Sequence, residues 1–308
     1  MKTNYSHIEI ATLIKNHYPD ANNIQAILGG MVSQTFLFWS DNRKRVFQIG
    51  GKRKDYEKQL YISERYKDIL SVKIIDKVHE NTDAHAYIFS DYIEKCRVAD
   101  LNAQEFIDII PSILDTIDKL SEIEAPANSG FGKFDANGIA SFSNWRDYIE
   151  AIYNDEVYDW LKFRRFDYTI INKAIAILQE NINCIKIDQQ PYLIFGDMGE
   201  NNLLADGKQI TGMIDWDYAM YGDPLYEIAT VLFWYDNEDS KKYAPLVSAL
   251  KDKYLSSEIN KMKIYCYIIR MSLEEIYNTV VLDAIGYDIS WVINRLNDIV
   301  SANSYAAV

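Results

Sequence analysis

The chain has 308 residues, 48% of them apolar, and carries 45 acidic against 32 basic side chains, a net charge of −13. That length suits two lobes with a sizeable core, and the acid surplus turns away nucleic acid and anionic membrane surfaces while favouring a cationic small-molecule partner. No apolar run reaches the roughly 18 residues of a membrane span, and no apolar segment follows Met1-Lys-Thr-Asn-Tyr-Ser6 as a secretory signal requires. A cytoplasmic protein without a membrane partner is expected, a monomer favoured. Cys96, Cys184 and Cys266 are too widely spaced for a disulfide framework or a zinc pattern and read as free core thiols. All four histidines, His7, His17, His79 and His85, precede the later carboxylate motifs, which excludes a Ser-His-Asp or Cys-His hydrolase centred on those motifs.

In chain order, Ile8 to Tyr18 reads as an amphipathic helix and Ile24 to Phe38 as a strand pair around Gly29-Gly-Met-Val-Ser-Gln34. Arg45 to Ile49 alternates as a strand ending at Gly50-Gly51, a helix is expected over Asp55 to Ile69, and Val72 to Val78 with His85 to Phe89 complete a small sheet. Phe106, Ile109, Ile110, Ile113, Leu114, Ile117 and Leu120 form one helical stripe over Glu105 to Leu120, with Pro111 starting or kinking it. Phe142 to Trp160 and Tyr168 to Ile182 are further helical candidates whose aromatics suit a core. Glu227 to Tyr235, Tyr243 to Tyr254, Lys261 to Val281 and Ile289 to Ile299 give a helical end, with no repeat or long linker between them.

The most informative stretch is Ile194-Phe-Gly-Asp-Met-Gly-Glu-Asn-Asn-Leu-Leu204, followed by Met213-Ile-Asp-Trp-Asp217. Between them, Leu203 to Met213 reads as strand, Asp-Gly turn, strand, since a tight hairpin needs positive φ at its corner. That hairpin returns Asp215 beside Asn202. Asp197, Asn202 and Asp215 then supply a base for an acceptor hydroxyl and two oxygen ligands for magnesium, the parts needed for phosphoryl transfer from a nucleotide. Apolar Tyr192-Leu-Ile-Phe195 and Met213-Ile214 root both loops in a core, a setting in which emerging polar groups have work or partners.

These motifs, together with Gly130-Phe-Gly-Lys-Phe-Asp-Ala-Asn-Gly-Ile139, Asn144-Trp-Arg-Asp-Tyr148, Gly222-Asp-Pro-Leu-Tyr-Glu-Ile-Ala229 and Leu232-Phe-Trp234, resemble the aminoglycoside phosphotransferase family, and within it the hygromycin B phosphotransferases. The resemblance covers the last two-thirds of the chain, whereas the first ninety or so residues match in general order only. It implies an α+β, bilobal, protein-kinase-like fold, with a small antiparallel-sheet lobe and a helix over residues 1–93 and a larger, mainly helical lobe over residues 94–308. It also implies ATP or GTP as phosphate donor, Mg2+ as cofactor, Asp197 as base, and Asn202 and Asp215 as metal ligands. By the same resemblance Gly29, Gly30 and Ser33 cover the nucleotide, and the backbone of Asp91, Tyr92 and Ile93 meets the purine edge.

Two departures stand out. Where the family carries a Lys or Arg for the α and β phosphates, this chain has Gln48, which can donate a hydrogen bond but brings no charge, so another cation such as Lys44, Arg45 or Lys52 has to reach in. Glu57, or else Glu64, is the expected helix partner of such a cation. Where the family has a His before the catalytic base, this chain has Phe195, which organises its loop by packing alone. For an aminoglycoside such as hygromycin B, with its ammonium groups and hydroxyls, Glu200, Asp217, Asp236 and Glu274 are the candidate substrate carboxylates, Asp223 and Glu227 being alternatives with dull roles as caps. Two other readings stay open: a kinase of a small metabolite such as a sugar or amino alcohol, and a catalytically impaired binding module.

Overall fold

The computed structural model describes residues 3–27, 33–81, 85–93, 96–160, 169–236, 238–281 and 289–301. The first elements are α1 (His7–His17), β1 (Asn22–Ile27), β2 (Gln34–Ser40), β3 (Arg43–Ile49), α2 (Arg53–Tyr66), β4 (Ile75–Glu80), β5 (Ala86–Asp91) and β6 (Cys96–Arg97). Then come α3 (Ala103–Glu122), β7 (Phe131–Phe134), β8 (Ala140–Phe142), α4 (Trp145–Glu150), α5 (Thr169–Asn181) and β9 (Tyr192–Ile194). Last are β10 (Leu203–Ala205), β11 (Ile210–Met213), β12 (Met220–Gly222), α6 (Leu225–Tyr235), α7 (Ala244–Tyr254), α8 (Glu258–Val281) and α9 (Ile289–Ser301). Two compact units result: residues 1–101, 135–139 and 200–217 form one, and residues 102–134, 140–199 and 218–308 the other.

In the first unit an antiparallel sheet runs β1-β2-β3-β5-β4. Side chains alternate between its faces. Phe36, Phe38, Phe47, Ile49, Tyr87 and Phe89 pack on Ile10 and Ile14 of α1, while Ile75, Val78, Ala86 and Ile88 pack on Tyr56 of α2. Gln48, lying between Phe47 and Ile49, therefore belongs to the α2 face. Helix α1 starts at a capping box, Ser6 accepting from the Glu9 amide and Glu9 from the Ser6 amide. A second, three-stranded sheet runs β11-β10-β6. Its β10–β11 hairpin turns at Gly207, φ +84°, where the Asp206 carboxylate accepts from the Lys208 and Gln209 amides. At its far end Met213 bridges in parallel to Val72, on the segment leading into β4.

The second unit is mainly helical. Asn102 caps α3 by accepting from the Gln104 and Glu105 amides, and the stripe from Phe106 to Leu120 is buried as its spacing predicts except at Leu114, which is half-buried. Pro111 lies inside α3 instead of starting it. Phe142 to Trp160 is not one helix: α4 ends at Glu150, and Trp145, Tyr148, Ile152 and Trp160 are core residues on a broken path. A four-stranded sheet, β8-β7-β12-β9, lies within this unit. Cys184 and Cys266 are buried free thiols, 3.9 Å apart, whereas Cys96 of the first unit is exposed, a correction to the expectation that all three lie in the core.

Trp145 organises the second unit. Its indole stacks on Tyr148 and donates through Nε1 to the Tyr267 hydroxyl at 3.0 Å, and Tyr267 in turn donates to Asp223 at 2.9 Å. The ring lies against Gly222 so closely that an added Cβ would meet it at 2.2 Å. Gly222→Ala should therefore destabilise the protein by about 1–3 kcal/mol through overpacking. The combination Gly222→Ala with Trp145→Phe should cost less than the sum of the two single changes, read from thermal or urea midpoints. Strict additivity would show that the ring does not set the limit at Gly222.

Candidate active site

In the first unit the hairpin closes as its sequence predicts. Leu203 pairs with Met213, and the Ile214 amide donates to the Asn202 carbonyl at 2.9 Å, so Asp215 emerges one residue beyond a bond to Asn202. Asp215 has φ +63°, a left-handed conformation that is uncommon outside glycine and is held only where the surroundings enforce it. Here the enforcers are the Ile214 bond on one side and buried Trp216 on the other, whose Nε1 donates to the Met213 carbonyl at 3.2 Å.

Helix α2 fixes the next carboxylate. Lys58 Nζ donates to the Asp217 carbonyl at 2.7 Å, and Gln59 Nε2 donates to Asp217 Oδ1 at 3.0 Å. Asp217 as a residue is exposed, yet its carboxyl is crowded, and burial of that group together with the charge of Asp215 pushes it up to about 6. The charge of Asp215 opposes ionisation of Asp217, and carboxylates so placed are a hard oxygen donor set whose repulsion a divalent cation relieves. Among the described residues no cluster of three or more His, Cys, Asp or Glu could hold a metal by itself. A magnesium ion would need only one or two carboxylates, completing its shell with water and phosphate oxygens.

In the second unit the loop after β9 is held from beneath. The Glu227 carboxylate, 2% exposed on the first turn of α6, accepts from the Phe195 amide at 2.7 Å and the Gly196 amide at 3.0 Å. Phe195 is fully buried, and Gly196 has φ +75° with its Cα so near the Tyr218 carbonyl that a Cβ would sit at 2.6 Å from that oxygen. Asp197 follows directly, and its own carbonyl accepts from the Gly199 amide at 2.7 Å. Packing by Phe195 is thus joined by a buried carboxyl group that grips the loop's backbone.

Helix α8 supplies the acids of the same unit. Glu274 is buried and matched internally: Arg270 Nη1 donates to it at 2.6 Å, Lys133 Nζ at 3.1 Å and the Tyr158 hydroxyl at 3.3 Å. Burial alone would raise its carboxyl, but Arg270 and then Lys133 hold it well below the usual range. Glu275 differs, its carboxylate making no hydrogen bond or ion pair among the described residues. Burial, then the neighbouring Glu274, push it up to about 7, and the charge of Asp197 also acts on it.

Several expectations are corrected by these placements. Glu274 braces the core, so its charge is already spent inside the protein. Asp236, at the end of α6, is ion-paired with Lys251 at 2.8 Å. Glu227 does not cap its helix but bonds the catalytic loop, while Asp223 accepts from the Leu225 amide, Lys263 and Tyr267, bracing its turn as the dull reading supposed. Glu57 pairs with Arg53 at 2.6 Å and Glu64 is exposed, so α2 meets the site through Lys58 and Gln59. Glu200 is half-buried in the first unit, its carbonyl accepting from Ala99 at 2.9 Å. Gly29 and Gly30 lie outside the described residues, whereas the Ser33 hydroxyl accepts from Gln48 Nε2 at 2.9 Å. Asp91 closes β5 opposite Arg45, Lys44 lies over the Tyr92 ring at 5.3 Å, and Ile93 packs against Gly212.

Residues 23–259 match the family described as phosphotransferase enzyme family (APH). The chain belongs to that family. It is 24% identical over 298 residues to the hygromycin-B 4-O-kinase of Escherichia coli, covering 93% of this chain and 83% of that one. A crystal structure of aminoglycoside phosphotransferase APH(4)-Ia superposes with a TM-score of 0.86 at 22% identity, covering 97% of this chain and all of the other. A thermostable mutant of that protein in ternary complex with ADP and hygromycin B gives 0.84 at 23% identity, over 96% of this chain and 99% of the other. The GDP complex of wild-type aminoglycoside 2'-phosphotransferase-IIIa gives 0.69 at 13% identity, over 97% of this chain and the whole of that one. The fold is therefore that of the aminoglycoside phosphotransferases, an N-terminal antiparallel sheet with a helical C-terminal region, as its sequence led one to expect.

Glu227 gives this phosphotransferase a stability that falls with rising pH. Burial pushes its carboxyl from 4.5 up to about 7, against the two amide hydrogen bonds. The folded protein thus keeps a proton that the unfolded chain has released, and the resulting stability is lost as pH climbs through that window, by about 3 kcal/mol in all. Glu227→Gln cannot ionise and should show a flatter stability profile between pH 4.5 and 7 by urea unfolding. Equal slopes in the two proteins would remove Glu227 as the titrating group.

Proposed function

We propose that the chain transfers the γ-phosphate of ATP or GTP to a hydroxyl of a hygromycin B-like aminocyclitol antibiotic and so confers resistance in the cytoplasm. The observation that supports this reading is the return of the β10–β11 hairpin, which bonds the Ile214 amide to the Asn202 carbonyl and so brings the backbone of Asp215 back to that of Asn202. The likeness to a hygromycin-B 4-O-kinase over 93% of this chain supports the substrate class.

Residues 1–93 serve as the nucleotide lobe, with Ser33 and Gln48 toward the phosphates and the backbone of Asp91, Tyr92 and Ile93 toward the base. Residues 94–308 carry the catalytic and substrate-binding groups. Asn202 and Asp215 would hold magnesium, which would supply positive charge to the phosphates. Asp197 accepts a hydrogen bond from the acceptor hydroxyl, orients it and takes its proton late, since the transition state is loose and bond-making lags. Glu227 keeps the backbone before Asp197 fixed, so the base needs no reorganisation to act. For the ammonium groups of the antibiotic, Glu275 replaces Glu274 as the first candidate, because it alone of the two has no internal cation bonded to it. Glu200 and Asp217 remain further contacts, and Asp236 would have to leave Lys251 to become one.

Incubation of the protein with hygromycin B and Mg-ATP or Mg-GTP should add the mass of one phosphate to the antibiotic. A protein that turns over nucleotide but modifies no member of an aminoglycoside panel would instead be a metabolite kinase. Asp197→Asn should lower kcat by about 10²–10⁴-fold while Mg-nucleotide still raises the thermal midpoint; a near-normal rate would refute the assignment of the base. Glu275→Gln should raise KM for the antibiotic about tenfold with kcat little changed. In the unsubstituted protein that KM should climb as pH falls below about 7, where Glu275 takes up its proton. The same climb in Glu275→Gln would place the titrating carboxylate elsewhere.

A further inference from the structure

The loss of a cation at Gln48 is answered from a different strand. Gln48 Oε1 accepts from Lys73 Nζ at 3.1 Å, while Gln48 Nε2 donates to Ser33 Oγ at 2.9 Å. Lys73 lies between α2 and β4, on a segment tied to the metal-site hairpin twice: the Met213 amide donates to the Ser71 carbonyl at 2.7 Å, and Val72 bridges Met213. That docking carries the Lys73 ammonium into the field of Asp215 and Asp217. Burial pulls it below the ordinary lysine value, and those two carboxylates oppose the pull.

Four other cations of this unit are otherwise engaged. Lys58 Nζ bonds the Asp217 carbonyl, Arg53 pairs with Glu57 and Glu80, Arg45 lies over Tyr18 and near Asp76, and Lys44 lies over Trp39 and Tyr92. An ammonium has three donors. Among the described residues Lys73 uses one of them, on Gln48, and makes no ion pair within 4.0 Å. A half-buried cation with donors to spare, beside a polar amide and close to the metal ligand Asp215, is a site for an anion rather than a brace already satisfied.

We propose that Lys73 is the phosphate-binding cation of this chain, its ammonium positioned by Gln48 and Ser33, so that the charge missing from β3 is delivered from the approach to β4. The inference rests on the nucleotide-dependent reading above and assigns one residue within it. The chain has exchanged a cation on one strand for an amide there and a cation on a spatial neighbour.

The test is calorimetric titration of the full chain with Mg-ADP and Mg-AMP-PNP, with unfolding midpoints measured in the absence of nucleotide. Lys73→Met should weaken nucleotide binding roughly 10- to 100-fold, the loss of one charge-assisted phosphate contact, and KM for ATP should rise with it. Adding Gln48→Lys to Lys73→Met should recover most of that loss, because the charge returns to β3. Lys73→Gln, which keeps a donor for Gln48 without the charge, is titrated in parallel and should behave like Lys73→Met even where Met disturbs packing. Binding within about twofold of the unsubstituted protein in Lys73→Gln overturns the proposal, and so does a loss that Gln48→Lys fails to recover in a protein of unchanged midpoint. If the unsubstituted protein binds Mg-nucleotide but modifies no antibiotic, the substrate reading fails and the Lys73 proposal is still decided by these titrations. If it binds no nucleotide, both fall.

Discussion

The grip of one buried carboxyl group on two backbone amides fixes the loop after β9. Glu227 accepts from Phe195 and Gly196 just before Asp197, and each such bond contributes about 0.5–1.5 kcal/mol, more once the carboxyl ionises. The amides stay fixed only if α6 does. Its N-terminus is secured by Asp223, which accepts from the Leu225 amide, Lys263 and Tyr267, while Tyr267 receives the Trp145 indole. Phe195 fills the space beneath the loop, and Gly196 turns where the Tyr218 carbonyl leaves no room for a side chain. The backbone leading into Asp197 is therefore held by helix packing, with Phe195 and Glu227 as its supports.

In the first unit the corresponding device is the attachment of a short hairpin to the strand beside it. Met213 is held by Ser71 and Val72, Ile214 by Asn202, and Asp217 by Lys58 and Gln59 of α2. Because α2 also packs on the sheet through Tyr56, against Ile75, Val78, Ala86 and Ile88, the carboxylates inherit the rigidity of a core. The positive φ at Asp215 is the cost of aiming its side chain outward from that anchored strand.

What could be read from the amino-acid order was whatever depends on local spacing. The α3 stripe, the alternation of β3 and the Asp-Gly corner of the hairpin all use periods of 3.6 or 2, or a turn residue, and all are found where expected. Phe142 to Trp160 misled because aromatic residues fill a core equally well from a helix or from an irregular path, so composition could not reveal the break after Glu150. The neighbours Glu274 and Glu275 were indistinguishable as letters; Arg270 one turn earlier was a signal for Glu274, but Lys133 comes from a strand far away in the chain. Glu57 drew attention by its place on α2, yet an arginine four residues before it offered a nearer partner. Lys73 left one faint trace, a charged residue set between Val72 and Ile74-Ile75, and only the three-dimensional pairing with Gln48 gives it meaning.

That pairing bears on how a charge can be conserved while its residue is not. A phosphate-binding site needs positive potential at a point, and the field at that point does not depend on which strand the cation hangs from. A lysine on β3 would sit on the α2 face of the sheet between Phe47 and Ile49, the position that Gln48 occupies. Lys73 reaches the same amide from the chain that leads into β4, separated from β3 in the sheet by β5. Gln48 is then more than a vacancy: its amide oxygen holds the ammonium and its amide nitrogen is anchored on Ser33, so the cation is oriented by two neutral groups that add no competing charge. The same placement bears on Asp215 and Asp217, which make no salt bridge among the described residues. An ammonium within their field offsets part of their repulsion while keeping donors for a ligand.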